Sequence, residues 1–469
     1  MEIAVLGAGP AGLTAAWELL ERGKADPPRI TVIEETDEVG GIAVTKRYKD
    51  YRFDIGGHRF FTKNAAIRSL WKDVLKQDFI TCSRLSRIFY KDKLFHYPLK
   101  PMDMLSTLTL SECFTFGLSY AAARLLPRPA RSFEDWVRNQ FGRRLYETFF
   151  KSYTEKVWGM PCDRISADWA AQRIKGVSLF SAIRSAFRKS GGQVKSLIES
   201  FEYPVLGPGM LWERMRDILK GRGVRFLMER KAVKLFHDGK DIKAVRLASR
   251  SGREENVEAD SFLSSIPLRE LVHSLEPAAD RGAAEAAERL TYRDFLIVAL
   301  VLDREQVFPD NWIYVQVPDV AVGRIQNFKN WSRAMVPDQG KTCLGMEFFC
   351  FEGDRLWNST DSELIELASA ELCRLGFARR QQILEGVPVR MKKAYPVYTL
   401  DYREQVGRIR RYLARFRNLQ VMGRNGLHRY NNQDHSMMTA MLAARNVYGG
   451  SFDVFKVNED ASYHEERGR

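Results

Sequence analysis

The chain has 469 residues, of which 45% are hydrophobic and 28% charged, and carries a formal charge of +14. That length allows two or three lobes of about 150 residues each, and the composition excludes a disordered or fibrous chain. No apolar run reaches the roughly 18 residues of a spanning helix; the nearest, 104–126, is interrupted by Ser111 and Glu112 and reads as a buried helix pair, with contact at a membrane surface left open.

Residues 3–33 read as strand, glycine turn, helix and second strand: IAVL, GAGPAG, LTAAWELLERG and RITVIE. Gly7, Gly9 and Gly12 form GxGxxG between strand and helix, with Pro10 and Ala11 inside the turn. Gly7 permits the tight turn, Gly9 lets backbone amides approach a pyrophosphate, and Gly12 lets the helix pack on the strand. The helix amino terminus then faces the phosphates. Glu34 ends the second strand, where a carboxylate accepts hydrogen bonds from the hydroxyls of an adenosine ribose and argues against a 2′-phosphate. The ligand class is a dinucleotide. NAD and FAD share this half-site, so the glycine pairs that follow, Gly40-Gly41 and Gly56-Gly57 before His58, bear on the choice. They allow close approach to a pyrophosphate and then to a flat ring, or are two ordinary turns.

Farther along, GPGMLWERMRDILKGRGV reads as a turn and amphipathic helix, followed by the strands VRFLME and KAVKLF. Residues 408–417 place Arg408, Arg410, Arg411, Arg415 and Arg417 around Ile409, Leu413 and Phe416, which is an amphipathic helix or a basic patch for anions. No nucleic-acid module accompanies them, so no nucleic-acid partner is expected. Near the end, Gly423 allows close approach, Arg424 offers a bidentate phosphate donor, and Asn432 begins a helix whose free amides can meet flavin oxygens, with Gln433, Asp434 and Ser436 in its first turn. The six cysteines, Cys82, Cys113, Cys162, Cys343, Cys350 and Cys373, form no CxxC pair and no metal spacing with histidines, so no metal and a reducing, cytoplasmic setting are expected. The first strand follows the initial Met almost at once, which leaves no room for a secretory signal.

The GxGxxG turn, Glu34, VGG at 39–41 and GGH at 56–58 together resemble the flavin amine oxidase and protoporphyrinogen oxidase superfamily. Two further stretches, YTEKVWGMP at 153–161 and GRNGLHRYNNQDHSMMTAM at 423–441, are similar to UDP-galactopyranose mutases. The resemblance implies an α/β fold with a Rossmann-like FAD-binding domain of the glutathione reductase type, assembled from residues 1–90, 195–290 and 395–455. A helical substrate or lid domain at 91–194, a strand-rich substrate domain at 291–394 and a loose tail at 456–469 complete it. It implies non-covalent FAD, since no cysteine follows Cys373, with Val233 beside the adenine and His58 near flavin N5.

The same resemblance places Tyr97, Trp158, Arg173, Tyr314, Arg324, Asn327, Tyr395 and Tyr430 around a nucleotide-sugar substrate, with His58, Arg173 and Arg324 catalytic. Arginine supplies planar paired donors to a diphosphate, and tyrosine hydroxyls donate without adding charge. The activity implied is a mutase-like ring interconversion through the reduced flavin N5, with NAD(P)H as one source of electrons. Departures occur at Leu99-Lys100, where eukaryotic-type mutases have Phe-Gln, and at Arg59 in GGHRFF. They keep open an FAD-dependent oxidase or desaturase of the protoporphyrinogen oxidase, phytoene desaturase or amine oxidase type. A non-catalytic flavoprotein is the third reading.

Overall fold

The computed structural model describes residues 1–97, 109–174 and 200–458. The apolar segment Glu2–Leu6 forms the central strand of a five-stranded parallel sheet in the order Leu419–Val421, Ser261–Ser264, Glu2–Leu6, Arg29–Ile33 and Arg225–Leu227. Its strands come from both ends and the middle of the chain. Strands buried on both faces read as continuous apolar runs, and Ile3, Ala4, Val5 and Leu6 are all buried. The α/β class expected from the sequence is the class observed.

Helix Pro10–Arg22 starts with proline in its first turn and buries Leu13, Ala15, Ala16, Leu19 and Leu20. These join one apolar cluster with Ala440, Ala443 and Ala444 of helix Gln433–Val447, so small residues let the two helices meet closely. Gly12 has no alternative here, because a Cβ on it would lie 1.8 Å from the carbonyl oxygen of Gly7. Gly7 itself has φ +100°, a region that costs a residue with a side chain dearly. Helix Gly209–Gly221, strand Arg225–Leu227 and strand Arg230–His237 follow the sequence pattern.

A seven-stranded sheet stands opposite, in the order Ile383–Pro396, Tyr292–Leu302, Thr342–Cys350, Arg324–Asn327, Trp312–Val315, Ser86–Tyr90 and Lys93–His96. Its last two strands fall on either side of the boundary drawn at residue 90. Ser86–Tyr90 pairs in parallel with Trp312–Val315, a partner more than 200 residues away that local sequence pattern does not reveal. Helices Phe133–Phe141, Ser152–Trp158 and Ala167–Ile174 cover the cleft between the two sheets with a cluster that includes Phe133, Phe141, Phe149 and Trp158.

The buried helix pair expected over 104–126 is corrected in its described part. There a single helix, Leu110–Leu125, leaves Phe114 and Leu118 on its surface, with Leu125 and Leu126 at its end. Phe114, Leu118 and Leu125 share one face, turned away from Gly142, whose own Cβ position lies against Ser119 and Tyr120. Among the described residues no helix is long and apolar enough to cross a membrane.

The hairpin Thr45–Tyr48 and Tyr51–Asp54 ends on Asp54, which is fully buried between the hydroxyls of Thr45 (2.8 Å) and Tyr203. Burial pushes its carboxyl from 3.8 up to about 7, against the pull of those two hydroxyls. The folded protein then binds a proton that the unfolded chain releases between these values. This contribution to stability is complete below about pH 4 and is lost as pH rises through about 7, by at most about 1.4 kcal/mol per unit. Chemical unfolding at a series of pH values is expected to show that decline, and Asp54→Asn to flatten it; equal slopes in the two proteins would refute the assignment.

Candidate functional site

The turn after the first strand builds one wall of a cavity of about 910 Å³ that runs between the sheets. Gly7 donates its amide to the Ile33 carbonyl (2.7 Å), and Gly40 donates to that of Ala8 (2.9 Å), which draws the second glycine pair over the first turn. Gly41 then lies beside Gly9, with 3.4 Å between a Cβ on Gly41 and the Gly9 Cα. Glu34 is held by three donors: the Ala8 amide at 2.8 Å on one oxygen, and the Thr36 amide (3.0 Å) and hydroxyl (2.8 Å) on the other. Burial raises its pKa, and the hydrogen bonds from Ala8 and Thr36 oppose that rise. The oxygen that accepts from Ala8 has acceptor capacity left, while the other is filled by the two donors of Thr36.

The carboxyl-terminal motif forms the facing wall. Gly423 donates its amide to the Thr439 hydroxyl (2.9 Å), and Arg424 donates through Nη1 to the Asn431 carbonyl (3.0 Å). The Arg424 guanidinium lies 4.0 Å from the centre of the Tyr430 ring and 5.0 Å from that of Tyr395. Among the described residues its Nε and Nη2 have no acceptor. Helix Gln433–Val447 begins at Asn432, and Asn432, Gln433, Asp434 and Ser436 all border the cavity. Gln433 accepts from the Trp212 indole (3.1 Å), while its own amide nitrogen lacks an acceptor among the described residues.

Between the walls lie Gly56, Gly57 and His58. Gly56 has φ +91°, and a Cβ there would stand 3.6 Å from Arg324 Nη2. His58 keeps one side open to the cavity and is otherwise surrounded by protein. Burial first, and then the charges of Arg424 and Arg324, drive its pKa down to about 3. The imidazole is therefore neutral at ordinary pH, a hydrogen-bonding group rather than a cation or a proton store.

Arg324 owes its place to strand Arg324–Asn327. Its Nε donates to Glu347 on the neighbouring strand (2.5 Å), and Gln326 donates to the other oxygen of that fully buried carboxylate (2.8 Å). The guanidinium is held protonated by Glu347 despite its burial. Tyr314, on the adjacent strand, meets Tyr153 edge to face at 5.8 Å and Tyr97 at 4.9 Å. Tyr395 and Tyr430 stack at 5.6 Å with 17° between planes, and Trp158 stands edge-on 6.3 Å from each.

The cavity thus brings together Gly7, Gly9, Pro10, Ala11, Glu34, Gly41, Gly56, Gly57, His58, Gly423, Arg424 and the first turn after Asn432 with Tyr97, Trp158, Tyr314, Arg324, Tyr395 and Tyr430. Gly12 and Gly40 lie behind this lining. Asn327 is corrected: side chains alternate along a strand, so it points away from Arg324 and Gln326 and donates to the Phe308 carbonyl (3.2 Å). Val233 is corrected as well: it falls at a bulge between Ala232 and Lys234 and lines a neighbouring cleft of about 570 Å³, while Arg230, Lys231 and Ala232 border the main cavity. The Arg173 side chain lies outside the described residues, although its backbone closes helix Ala167–Ile174.

Sequence reading missed several lining residues, among them Thr36, Tyr153, Trp169, Ala232 and Gln316. Tyr153 stands at the head of the YTEKVWGMP stretch and was within reach; Gln316 and the Glu347 beneath Arg324 arrive by strand pairing and carried no local signal. Arg59 also borders the cavity, 5.1 Å from the centre of the Trp312 ring.

These walls fit a dinucleotide that ends in a flat ring. One side offers a glycine turn, a helix amino terminus and a buried ribose-type acceptor. The other offers cationic nitrogens without acceptors and a second helix start.

Comparison with known proteins agrees. Residues 10–440 match the sequence profile of the flavin-containing amine oxidoreductases. Over 280 residues, or 52% of this chain and 49% of the relative, the chain is 26% identical to a phytoene desaturase (neurosporene-forming) of Cereibacter sphaeroides. Over 179 residues, or 35% of this chain and 43% of the relative, it is 26% identical to a probable UDP-galactopyranose mutase of Klebsiella pneumoniae. The chain thus spans about half or less of the length of these curated relatives. Among solved structures, reduced UDP-galactopyranose mutase superposes with a TM-score of 0.83 at 20% identity, covering 98% of this chain and 97% of that one, which shows a shared fold. The chain belongs to the flavin-containing amine oxidoreductase family, and it is a flavoenzyme whose cofactor is FAD.

Proposed function

We propose that this flavoenzyme interconverts ring forms of a nucleotide sugar, in the manner of a UDP-galactopyranose mutase. The observation that carries this reading is the convergence of Arg324, Arg424, Tyr314, Tyr395 and Tyr430 on the Gly56–His58 segment. Two permanent cations and three hydroxyls suit a diphosphate, and both guanidiniums are too well held by protein to need a carboxylate-bearing substrate for their placement. Reduced FAD would supply the nucleophile for the anomeric carbon. The protein's own share is to hold the leaving diphosphate with Arg324 and the tyrosines and to seat the sugar against Trp158. Neutral His58 leaves the ring face free of a competing cation. The division of labour between a dinucleotide lobe and two substrate lobes belongs to the same proposal. So do the site roles assigned above.

One observation favours a second reading, an oxidase or desaturase. Ile88, Phe133, Phe141, Leu145, Phe149 and Phe150 give part of the cavity an apolar wall that would suit a substrate without charge.

Holoprotein reduced with dithionite under anaerobic conditions is expected to convert UDP-galactofuranose, or another member of a nucleotide-sugar panel, to its ring isomer, with no turnover in the oxidised state. Arg324→Ala is expected to lower that rate by about 100-fold, the equivalent of about 3 kcal/mol for a charged hydrogen-bonding group. Absence of any ring conversion, with fast reoxidation by oxygen and a carbon–carbon or carbon–nitrogen bond oxidised instead, would overturn the mutase reading. Glu34→Ala is expected to purify folded but with FAD weakened at least about 10-fold, the cost of one lost charged acceptor; absorbance at the flavin band after dialysis measures it, and undiminished retention would remove Glu34 from the adenosine site.

A further inference from the structure

Lys156 lies in the YTEKVWGMP stretch but does not border the cavity. Its side chain runs from helix Ser152–Trp158 into the loop that joins strands Trp312–Val315 and Arg324–Asn327. There Nζ reaches three backbone carbonyls: Val317 at 2.9 Å, Val322 at 3.2 Å and Val315 at 3.5 Å. An ammonium has three donors and no acceptor, so this cage uses its whole capacity. The same loop is held from its other side by Glu371 of helix Asp361–Arg374, which accepts from the amides of Ala321 (2.6 Å) and Val322 (2.8 Å). Carbonyls thus face a cation and amides face an anion across one short loop, and Glu371 and Lys156 attract each other through it.

What this loop connects gives the arrangement its meaning. Tyr314 and Arg324 pair across the two strands that enter and leave it, and Tyr153 and Trp158 sit on the helix that carries Lys156. The carboxyl end of that helix, the Lys156 carbonyl included, is also held by Arg293, which donates to the carbonyls of Lys156 (3.4 Å), Val157 (3.0 Å) and Phe349 (2.8 Å). Behind the cavity the Lys156 ammonium joins the helix wall to the loop of the strand wall, beside two other hydrogen-bonded links: Gln316 Nε2 donates to the Phe149 carbonyl (2.8 Å) just ahead of the helix, and Arg293 ties the helix end to Phe349.

We infer that Lys156 is a positioning residue: its ammonium sets the distance between the Tyr153–Trp158 wall and the Tyr314–Arg324 wall, and with it the grip on the phosphoryl groups of the substrate. The part of this inference that concerns phosphoryl groups rests on the nucleotide-sugar reading; the part that concerns the two walls does not. Removing the charge leaves three carbonyls in a buried place without a donor, and the loop is then free to relax while the distant dinucleotide walls keep their own hydrogen bonds.

The test uses full-length holoprotein in three forms, wild type, Lys156→Met and Lys156→Arg, with UDP as the probe. Affinity for UDP is read from the perturbation of flavin absorbance, and amide hydrogen exchange is followed in peptides spanning 312–327 and, as a control, 2–33. Lys156→Met is expected to retain FAD and its spectrum, to weaken UDP at least about 10-fold, equivalent to about 1.4 kcal/mol, and to speed exchange at 312–327 but not at 2–33. Lys156→Arg, which keeps the cation, is expected to recover most of both. Unchanged exchange and unchanged UDP affinity in Lys156→Met would overturn the inference, as would equal loss in Met and Arg forms. If the wild type binds no UDP, the nucleotide-sugar reading fails, while the exchange comparison still decides whether Lys156 joins the walls.

Discussion

The site exists because the first helix of the chain can approach both its own leading strand and the last long helix without side chains intervening. At Gly12 the approach is so close that even a methyl group would overlap the Gly7 carbonyl, and along Gln433–Val447 alanines provide the matching surface. This contact aligns two helix starts, from opposite ends of the chain, on one cavity. Each start leaves backbone amides without partners inside its helix, so the cavity gains a row of fixed positive dipoles before any charged side chain is added. The separation between the two walls follows from the same contact.

The second layer of the site is electrostatic, and it works by committing cations before a ligand arrives. Arg324 is pinned on Glu347 and Arg424 on the Asn431 carbonyl and two tyrosine faces, so neither loses much side-chain freedom when an anion enters. Their proximity also accounts for the neutral state of His58. A buried imidazole facing two permanent charges cannot hold a second proton at ordinary pH, so one ring nitrogen of His58 serves as a donor and the other as an acceptor. Glu347 removes part of the burden of burying a guanidinium, and Gln326 in turn orients Glu347, a chain of support that ends on the Trp331 indole.

Legibility in the sequence followed the range of the interactions. The Rossmann turn was readable because every part of it, strand, glycines, helix and terminal acid, lies within about thirty residues and each part has its own periodicity or steric reason. The carboxyl-terminal motif was readable as a dense run of polar residues ahead of an amphipathic helix. Residues placed by sheet pairing were not. Glu347 looks like any acid in a strand until Arg324 is laid beside it, and nothing local in Ser86–Tyr90 announces its pairing with Trp312–Val315. Asn327 and Val233 each lie one step from a residue that supports or borders the cavity: Asn327 is turned away by strand alternation, and Val233 falls at a bulge that interrupts it.

That long-range parallel pairing also orders events during synthesis. A ribosome emits residues 86–90 more than 200 positions before their strand partner at 312–315, and the edge strand Leu419–Val421 with Arg424 follows later still. Until residues near 436 emerge, the dinucleotide turn at the chain's beginning faces open solvent on one side. A nascent chain with only its first lobe strands therefore has one of the two facing walls of the cavity and lacks the other. A chain cut before that point keeps a half-built cavity, with its apolar inner surfaces left for chaperones to cover.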